Sequence, residues 1–119
     1  MKTHKDLNAW KNSIDLVIEI YRLTRSFLKE ELFCLTMQLR RAAISVPSNI
    51  SEGAGRNQKK EFIRFLRIST GSLSEIESQI LIAWKLKYLD EPELKNMTGN
   101  INKIRSQIAG LIRNLEQNL

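Results

Sequence analysis

Apolar residues recur at intervals of three and four along four stretches of this chain. No stretch alternates apolar and polar residues as a half-buried β-strand would. The pattern predicts an all-α fold with helices over about residues 7–26, 30–53, 58–88 and 91–117. Because short connections make successive helices antiparallel neighbours, we expect an up-down-up-down four-helix bundle in a single domain, residues 1–119.

The fourth predicted helix has the clearest start signal. Asp90 is a suitable N-cap, Pro92 fits the first helical turn, and Glu93 stands three residues after Asp90. This spacing predicts a capping box, in which the two acidic side chains bind each other's backbone N–H groups.

Two helices carry more apolar surface than a lone bundle uses. The seams expected to face the interior are, in the first helix, Leu7, Trp10, Ile14, Val17, Tyr21 and Thr24, and, in the second, Leu32, Leu35, Leu39, Ala42, Val46 and Asn49. The first helix has a second apolar stripe beside its seam, formed by Leu16, Ile20, Leu23 and Phe27. Residues 80–84 of the third helix are apolar around the full circumference. The surplus favours self-association; scattered exposed apolar residues are the alternative.

Pro47 lies inside the second predicted helix, next to the seam residue Val46. Proline lacks the backbone donor, and its ring presses against the carbonyl four residues earlier, so we expect a kink. In the alternative interpretation the helix ends at Ser45 and a short segment restarts at Ser48.

The glycines are of two kinds. Gly53 and Gly55 end the second apolar repeat, and Asn57 follows them as a suitable N-cap for the third helix. Gly71 and Gly110 lie inside repeats whose phase continues past them, so we interpret both as points of close packing within helices.

Polar residues form a stripe beside the seam of the second helix, comprising Arg41, Ser45, Ser48 and Glu52. Asn49 lies on the seam itself, where a buried amide fixes register or oligomeric state. Arg41 and Glu52 are about 16 Å apart along a straight helix, so any ion-pair partner of either is expected on another helix or subunit. We assign structural or interface roles to Trp10, Tyr21, Pro47, Asn49, Glu52, Gly53, Gly71 and Trp84.

The chain is basic, with 19 lysines and arginines, 13 acids and a formal net charge of +6, which favours an anionic partner. Residues 38–67 hold seven basic side chains but only two acids. Lys59 and Lys60 also stand in the first turn of a predicted helix, where the helix dipole disfavours cations. We predict a phosphate-contacting ridge for nucleic acid, and a solvated charged face is the alternative. The ridge consists of Arg40, Arg41, Arg56, Lys59, Lys60, Arg64 and Arg67.

Candidates for catalysis and metal binding are few. His4 is the only histidine and Cys34 the only cysteine, so catalytic triads lack a placed base and a usual zinc site lacks ligands. We expect no enzyme activity, no metal and no cofactor. A single cysteine fits a reducing cytoplasm, and the apolar runs are too short to span a membrane, so we expect a soluble cytoplasmic protein.

The central block, SVPSNISEG at residues 45–53, resembles the four-helix-bundle proteins encoded within 23S rRNA intervening sequences. The resemblance covers about residues 7–89 and also uses QLRRA at 38–42, GR at 55–56, FL at 65–66 and GSL at 71–73. The family commonly has Phe-Gly-Leu where this chain has Phe33-Cys34-Leu35. The resemblance implies a homopentameric ring. It also implies kinship with the accessory variability proteins of diversity-generating retroelements, which bind nucleic acid and a reverse transcriptase.

Two functions of different classes therefore compete. The first is a non-enzymatic, oligomeric protein that binds RNA or DNA through its phosphates, with little base specificity. The second is a protein-interaction scaffold whose basic face docks a nucleic-acid enzyme such as a reverse transcriptase. Binding that weakens steeply with salt favours the first, and recovery of a protein partner after nuclease treatment favours the second.

Overall fold

The computed structural model describes residues 3–118, apart from the side chain of Asp6. It is all-α: a short 3-10 turn precedes four α-helices, and no strand occurs in the described range. The helices are α1 Asn8–Thr24, α2 Met37–Ala54, α3 Lys59–Lys85 and α4 Glu91–Gln117. No helix among these residues is long and apolar enough to cross a membrane.

The four helices form a bundle in which each packs against two neighbours, in the order α1, α2, α3, α4 and back to α1. All four contribute to one hydrophobic core. Its largest fully buried side chains are Leu16, Ile20, Leu39, Ile50, Leu66, Leu73, Ile76, Ile80, Met97, Ile101, Ile104 and Ile108.

The stripe of α1 that faces the core differs from the predicted seam. Leu16 and Ile20, predicted to be surplus, are fully buried, whereas Trp10 and Tyr21 of the predicted seam are only half-buried. The reason lies in Ser13, a polar residue that occupies a buried position because its hydroxyl donates to the carbonyl of Trp10 at 2.7 Å. Once this hydroxyl is satisfied, the serine completes the inner stripe, and the predicted seam becomes a partly exposed face.

The regular part of the second helix begins at Met37, later than the predicted residue 30. A 3-10 turn, Lys29–Glu31, and a π-type turn, Leu32–Thr36, come before it. Cys34 has a non-helical backbone (φ −119°, ψ −105°), which breaks the helical phase. Leu32, predicted on the seam, is therefore 45% exposed.

Helix α2 continues through Pro47, so the alternative that ends the helix at Ser45 is wrong. The kink at Pro47 stays a prediction. Next to the proline, Ser51 joins two helices: its hydroxyl donates to the Pro47 carbonyl at 3.0 Å and accepts from the Trp10 indole N–H at 3.0 Å. Trp10 therefore fixes α1 against the proline-containing turn of α2.

The capping box at the start of α4 is confirmed. The Asp90 side chain accepts from the Glu93 backbone N–H at 2.8 Å, and the Glu93 side chain accepts from the Asp90 N–H at 2.9 Å. At the same end of the bundle, the Tyr88 hydroxyl donates to Glu31 at 2.9 Å. This hydrogen bond raises the pKa of Tyr88, and desolvation adds to the effect.

Gly53 is a point of close approach between α2 and α3. A Cβ built on it would lie 2.7 Å from the Phe65 Cβ and 3.0 Å from the Phe62 ring. The two glycines predicted as close-packing points do not play that part within the subunit: a Cβ on Gly71 would meet nothing within 4 Å, and one on Gly110 only the Arg113 side chain at 3.6 Å. Both do lie inside helices, as predicted.

Replacing Gly53 with alanine is expected to lower the free energy of unfolding by about 1–3 kcal/mol, because the added methyl group forces α2 away from Phe62 and Phe65. Urea denaturation followed by circular dichroism measures the change. Gly99→Ala is the matched control, since Gly99 lies in α4 and an added Cβ meets nothing within 4 Å. The control should gain about 0.5–1 kcal/mol from helix propensity; equal effects at the two positions would contradict the assignment of Gly53.

Candidate nucleic-acid interface

The connection between α2 and α3 forms a tight corner of four residues. Gly55 caps α2 in an ordinary right-handed conformation, with its N–H bound to carbonyls of the last helical turn. Asn57 has a positive φ of 57°, a left-handed conformation that asparagine tolerates better than most residues. The prediction of Asn57 as the N-cap is wrong: Gln58 holds that position, in extended backbone and without a side-chain cap.

Two arginines of the predicted ridge lie over one aromatic ring at this corner. The guanidinium carbon of Arg64 is 4.4 Å from the Phe65 ring centroid, and that of Arg56 is 5.1 Å from it. Phe65 is itself buried beneath Gly53. The packing of α2 on α3 therefore sets the positions of both cations.

Each of these arginines also pairs with a carboxylate one helical turn away. Arg56 donates to Glu52 at 2.9 Å and Arg64 to Glu61 at 3.1 Å, both at solvent-exposed positions. The expectation that Glu52 would find a partner only on another helix or subunit is wrong, because Arg56 follows the end of α2 closely enough to reach back. The hydrogen bond from Arg64 is the main cause that lowers the pKa of Glu61.

The corner also contacts the end of α4. The Lys59 ammonium donates to the backbone carbonyl of Asn118, and Arg67 pairs with Glu116 at 3.1 Å. Lys60 is exposed, and among the described residues it has no ion pair or hydrogen bond through its side chain. Five of the seven predicted ridge residues are thus brought together. They make the corner, taken as the connection with the first turns of α3, strongly basic: Arg56, Lys59, Lys60, Arg64 and Arg67.

The remaining two ridge residues lie elsewhere, roughly 20 Å along α2 from its end at the corner. Arg40 is half-buried, donates to the Thr24 hydroxyl at 2.9 Å and lies 4.5 Å from the Tyr21 ring centroid. Arg40 therefore links α2 to α1, and its guanidinium is already engaged by Thr24 and Tyr21. Arg41 points outward and has no partner among residues 3–118.

One residue of the predicted polar stripe of α2, Ser45, binds α3. The hydroxyls of Ser45 and Ser72 are 2.8 Å apart, and the Asn49 amide donates to the carbonyl of Ser45 at 2.8 Å and to its hydroxyl at 2.9 Å. A second serine of α3, Ser69, donates to the Val46 carbonyl at 2.9 Å. The two serine contacts link α2 to α3, whereas the Asn49 amide is hydrogen-bonded within α2, so a role of Asn49 in register or oligomeric state stays a prediction.

Sequence reasoning missed a second cluster of cations, on α4. Arg105 and Arg113 line a groove between α3 and α4, together with Arg67. The signal in the sequence is their spacing: each stands four residues from Ala109, so all three lie on one side of the helix. Among the described residues, no group of three or more histidines, cysteines or acids is placed to hold a metal ion.

The sequence profile of the 23S rRNA-intervening sequence protein family matches residues 5–110. The chain belongs to this family. A solved structure from Bacteroides thetaiotaomicron, a protein of unknown function from the S23 ribosomal protein family, superposes on this 23S rRNA-intervening sequence protein with a TM-score of 0.81 and 18% sequence identity. The match covers 87% of this chain and 97% of that one, and it shows that the two share a fold. No curated protein matches the chain.

The pKa of Glu61 should report directly on its ion pair with Arg64 at the corner. Its pKa is expected below the ordinary 4.5, and Arg64→Ala should return it towards that value. Arg56→Ala should move it less, because Arg56 acts on Glu61 only through space and contributes least. Since folding lowers this pKa, the stabilisation from the pair is present above the ordinary pKa and is lost as the pH falls through the lowered one. Carboxyl-detected NMR measures the shift; an unchanged pKa in Arg64→Ala would contradict the pairing.

Proposed function

We propose that this protein is a non-enzymatic, oligomeric four-helix bundle that binds RNA or DNA through phosphate contacts. The observation that supports this best is the corner, where five cations converge on the start of α3 and Lys60 has no partner among the described residues. A lysine in the first turn of a helix opposes the helix dipole, so its position has a local cost that a phosphate would remove.

The carboxylates at the corner do not prevent this binding. Glu52, Glu61 and Glu116 pair with arginines at exposed positions, where an ion pair is worth about 0–1 kcal/mol. A phosphodiester carries a single negative charge, as a carboxylate does, but a nucleic-acid strand presents many of them in a row and releases condensed counterions when it binds. Arginines held over Phe65 are also preorganised, because the ring limits the directions that their side chains take.

Contacts to phosphates carry no sequence information directly, so little base specificity is expected. Arg41 extends the surface along α2, whereas Arg40 contributes through its packing against Tyr21 and Thr24.

The double substitution Lys59→Glu/Lys60→Glu should abolish most binding to a fluorescent single-stranded oligonucleotide at low salt, because it reverses two charges at the corner. Fluorescence anisotropy over a salt series measures it. The matched control is Lys29→Glu/Lys87→Glu, two exposed lysines at the opposite end of the bundle. The proposal would be overturned if the wild type did not bind at low salt, or if its affinity did not change with salt concentration. An equal loss of affinity in the control would show only an effect of net charge.

The oligomer in this proposal uses two apolar surfaces. The first follows the groove between α1 and α2, about 280 Å³ in volume. Ile44 lines it and is 43% exposed, and Ile18, the neighbour of the lining residue Val17 in α1, is 62% exposed. The groove is lined by Trp10, Ile14, Val17, Ile44, Pro47, Ser48 and Ser51.

The second surface is the outer side of α3. Ile68 and Ile82 of α3 and its C-cap residue Leu86 are exposed there, and their spacing of fourteen and four residues sets them on one side of the helix. Gly71 lies on the same side with open space beyond it, which leaves room for a neighbouring backbone.

A closed ring with an odd number of subunits needs two different, complementary surfaces on each subunit. The α1/α2 groove and the outer side of α3 supply such a pair, and we propose that they meet in the homopentamer that the family resemblance implies. We further propose an up-down-up-down course for the four helices. Contacts of Val46 with Ser69 and of Gly53 with Phe62 support opposite directions for α2 and α3.

Ile44→Glu and Ile82→Glu should each give a 13.8 kDa monomer by light scattering, because every contact of such a ring uses both surfaces. Mixing the two variants should give a one-to-one dimer, since one pair of intact surfaces then remains. Single variants that stay oligomeric, or a mixture that stays monomeric, would contradict this interface. Both isoleucines are exposed in the subunit, so the monomers are expected to fold.

A further inference from the structure

The groove between α3 and α4 brings three arginines around a small apolar floor. Arg67 comes from α3, Arg105 and Arg113 come from α4, and Ala109 and Ile112 form the floor between them. The groove has a volume of about 460 Å³, and Glu116 is the one acid in its lining. Because alanine has a short side chain, Ala109 leaves the space that the guanidinium groups surround.

The three guanidinium groups differ in how they are held. Arg67 pairs with Glu116, and Arg105 pairs with Glu77 at 3.1 Å and donates to Asn102 at 2.7 Å. Both ion pairs join residues at the protein surface, so a competing anion can replace the carboxylates. Arg113 is exposed and forms no ion pair or hydrogen bond among the described residues.

The groove continues from the corner. Arg67 belongs to both clusters, and Lys59 contacts the backbone at Asn118, so the end of α4 adjoins the start of α3. From Arg67 to Glu77, the partner of Arg105, α3 advances ten residues, or about 15 Å. An extended polyanion that leaves the corner therefore meets a row of arginines along α3 and α4.

We infer that the α3/α4 groove is a second phosphate-binding site, which receives the phosphodiesters of a single strand of nucleic acid that first contacts the corner. This inference rests on the proposed function and extends it to residues on α4. Arginine suits the role because its planar fork binds two phosphate oxygens at once. The apolar floor provides a surface for the sugar or base that lies between successive phosphates.

The test compares the oligonucleotide affinity of full-length variants between 50 and 200 mM salt. The probe is a single-stranded oligonucleotide without a terminal phosphate, so that it presents phosphodiesters alone. Arg105→Ala/Arg113→Ala should weaken binding roughly tenfold per arginine at 50 mM salt and reduce the slope of log K against log salt by about 1.4, since each single-strand contact contributes about 0.7. Arg113→Glu, which removes a side chain without an ion pair or hydrogen bond among the described residues, guards against an effect of folding.

Lys103→Ala is the matched control, because Lys103 lies on α4 but in the groove towards α1, beside Asp15 and Glu19. It should leave both the affinity and the slope nearly unchanged. If the wild type binds and both groove variants show the same slope of log K against log salt as the wild type, the inference is overturned while the proposed function stands. If the wild type does not bind the oligonucleotide at all, the proposed function fails and the inference with it.

Discussion

The close approach of α2 and α3 at Gly53 is the contact on which the rest of the structure depends. Phe62 and Phe65 pack against the backbone of α2 there, and a single methyl group on Gly53 would displace them. The serine hydrogen bonds further along the same two helices then fix their alignment. Because Phe65 lies under Arg56 and Arg64, this apolar contact also determines where the positive charge of the corner stands.

The cations of this protein have different roles, although they look alike in the sequence. Arg40 is half-buried and ties α1 to α2, so its charge is part of the packing. The corner arginines are balanced by exposed carboxylates, which hold them weakly, while Lys60 and Arg41 have no such partner among residues 3–118. Weak pairing keeps the arginines ordered and still able to exchange a carboxylate for another anion.

The apolar surface is distributed in the same selective way. Ser13, satisfied by a backbone carbonyl, lets α1 bury one stripe and present another beside α2. On α3, Ile80 and Ala83 are buried, but Leu81 and Ile82 between them face solvent. A single bundle has no interior position for these two side chains, so they stay on its surface.

The sequence by itself determined the helical class, the four segments and the capping box at Asp90, because these follow from local periodicity and local hydrogen bonds. It also located the excess charge and, through the motif at residues 45–53, the family. Only the tertiary structure decided which stripe of α1 faces inward, where α2 begins, and which arginines meet. Those outcomes depend on whether a polar side chain such as Ser13 finds a partner, and on contacts between residues far apart in the chain, such as Arg67 with Glu116. Hydrophobic periodicity contains no information on hydrogen-bond partners or on contacts between distant residues. The groove that joins Arg67 to Arg105 and Arg113 therefore follows only from the packing of α3 against α4.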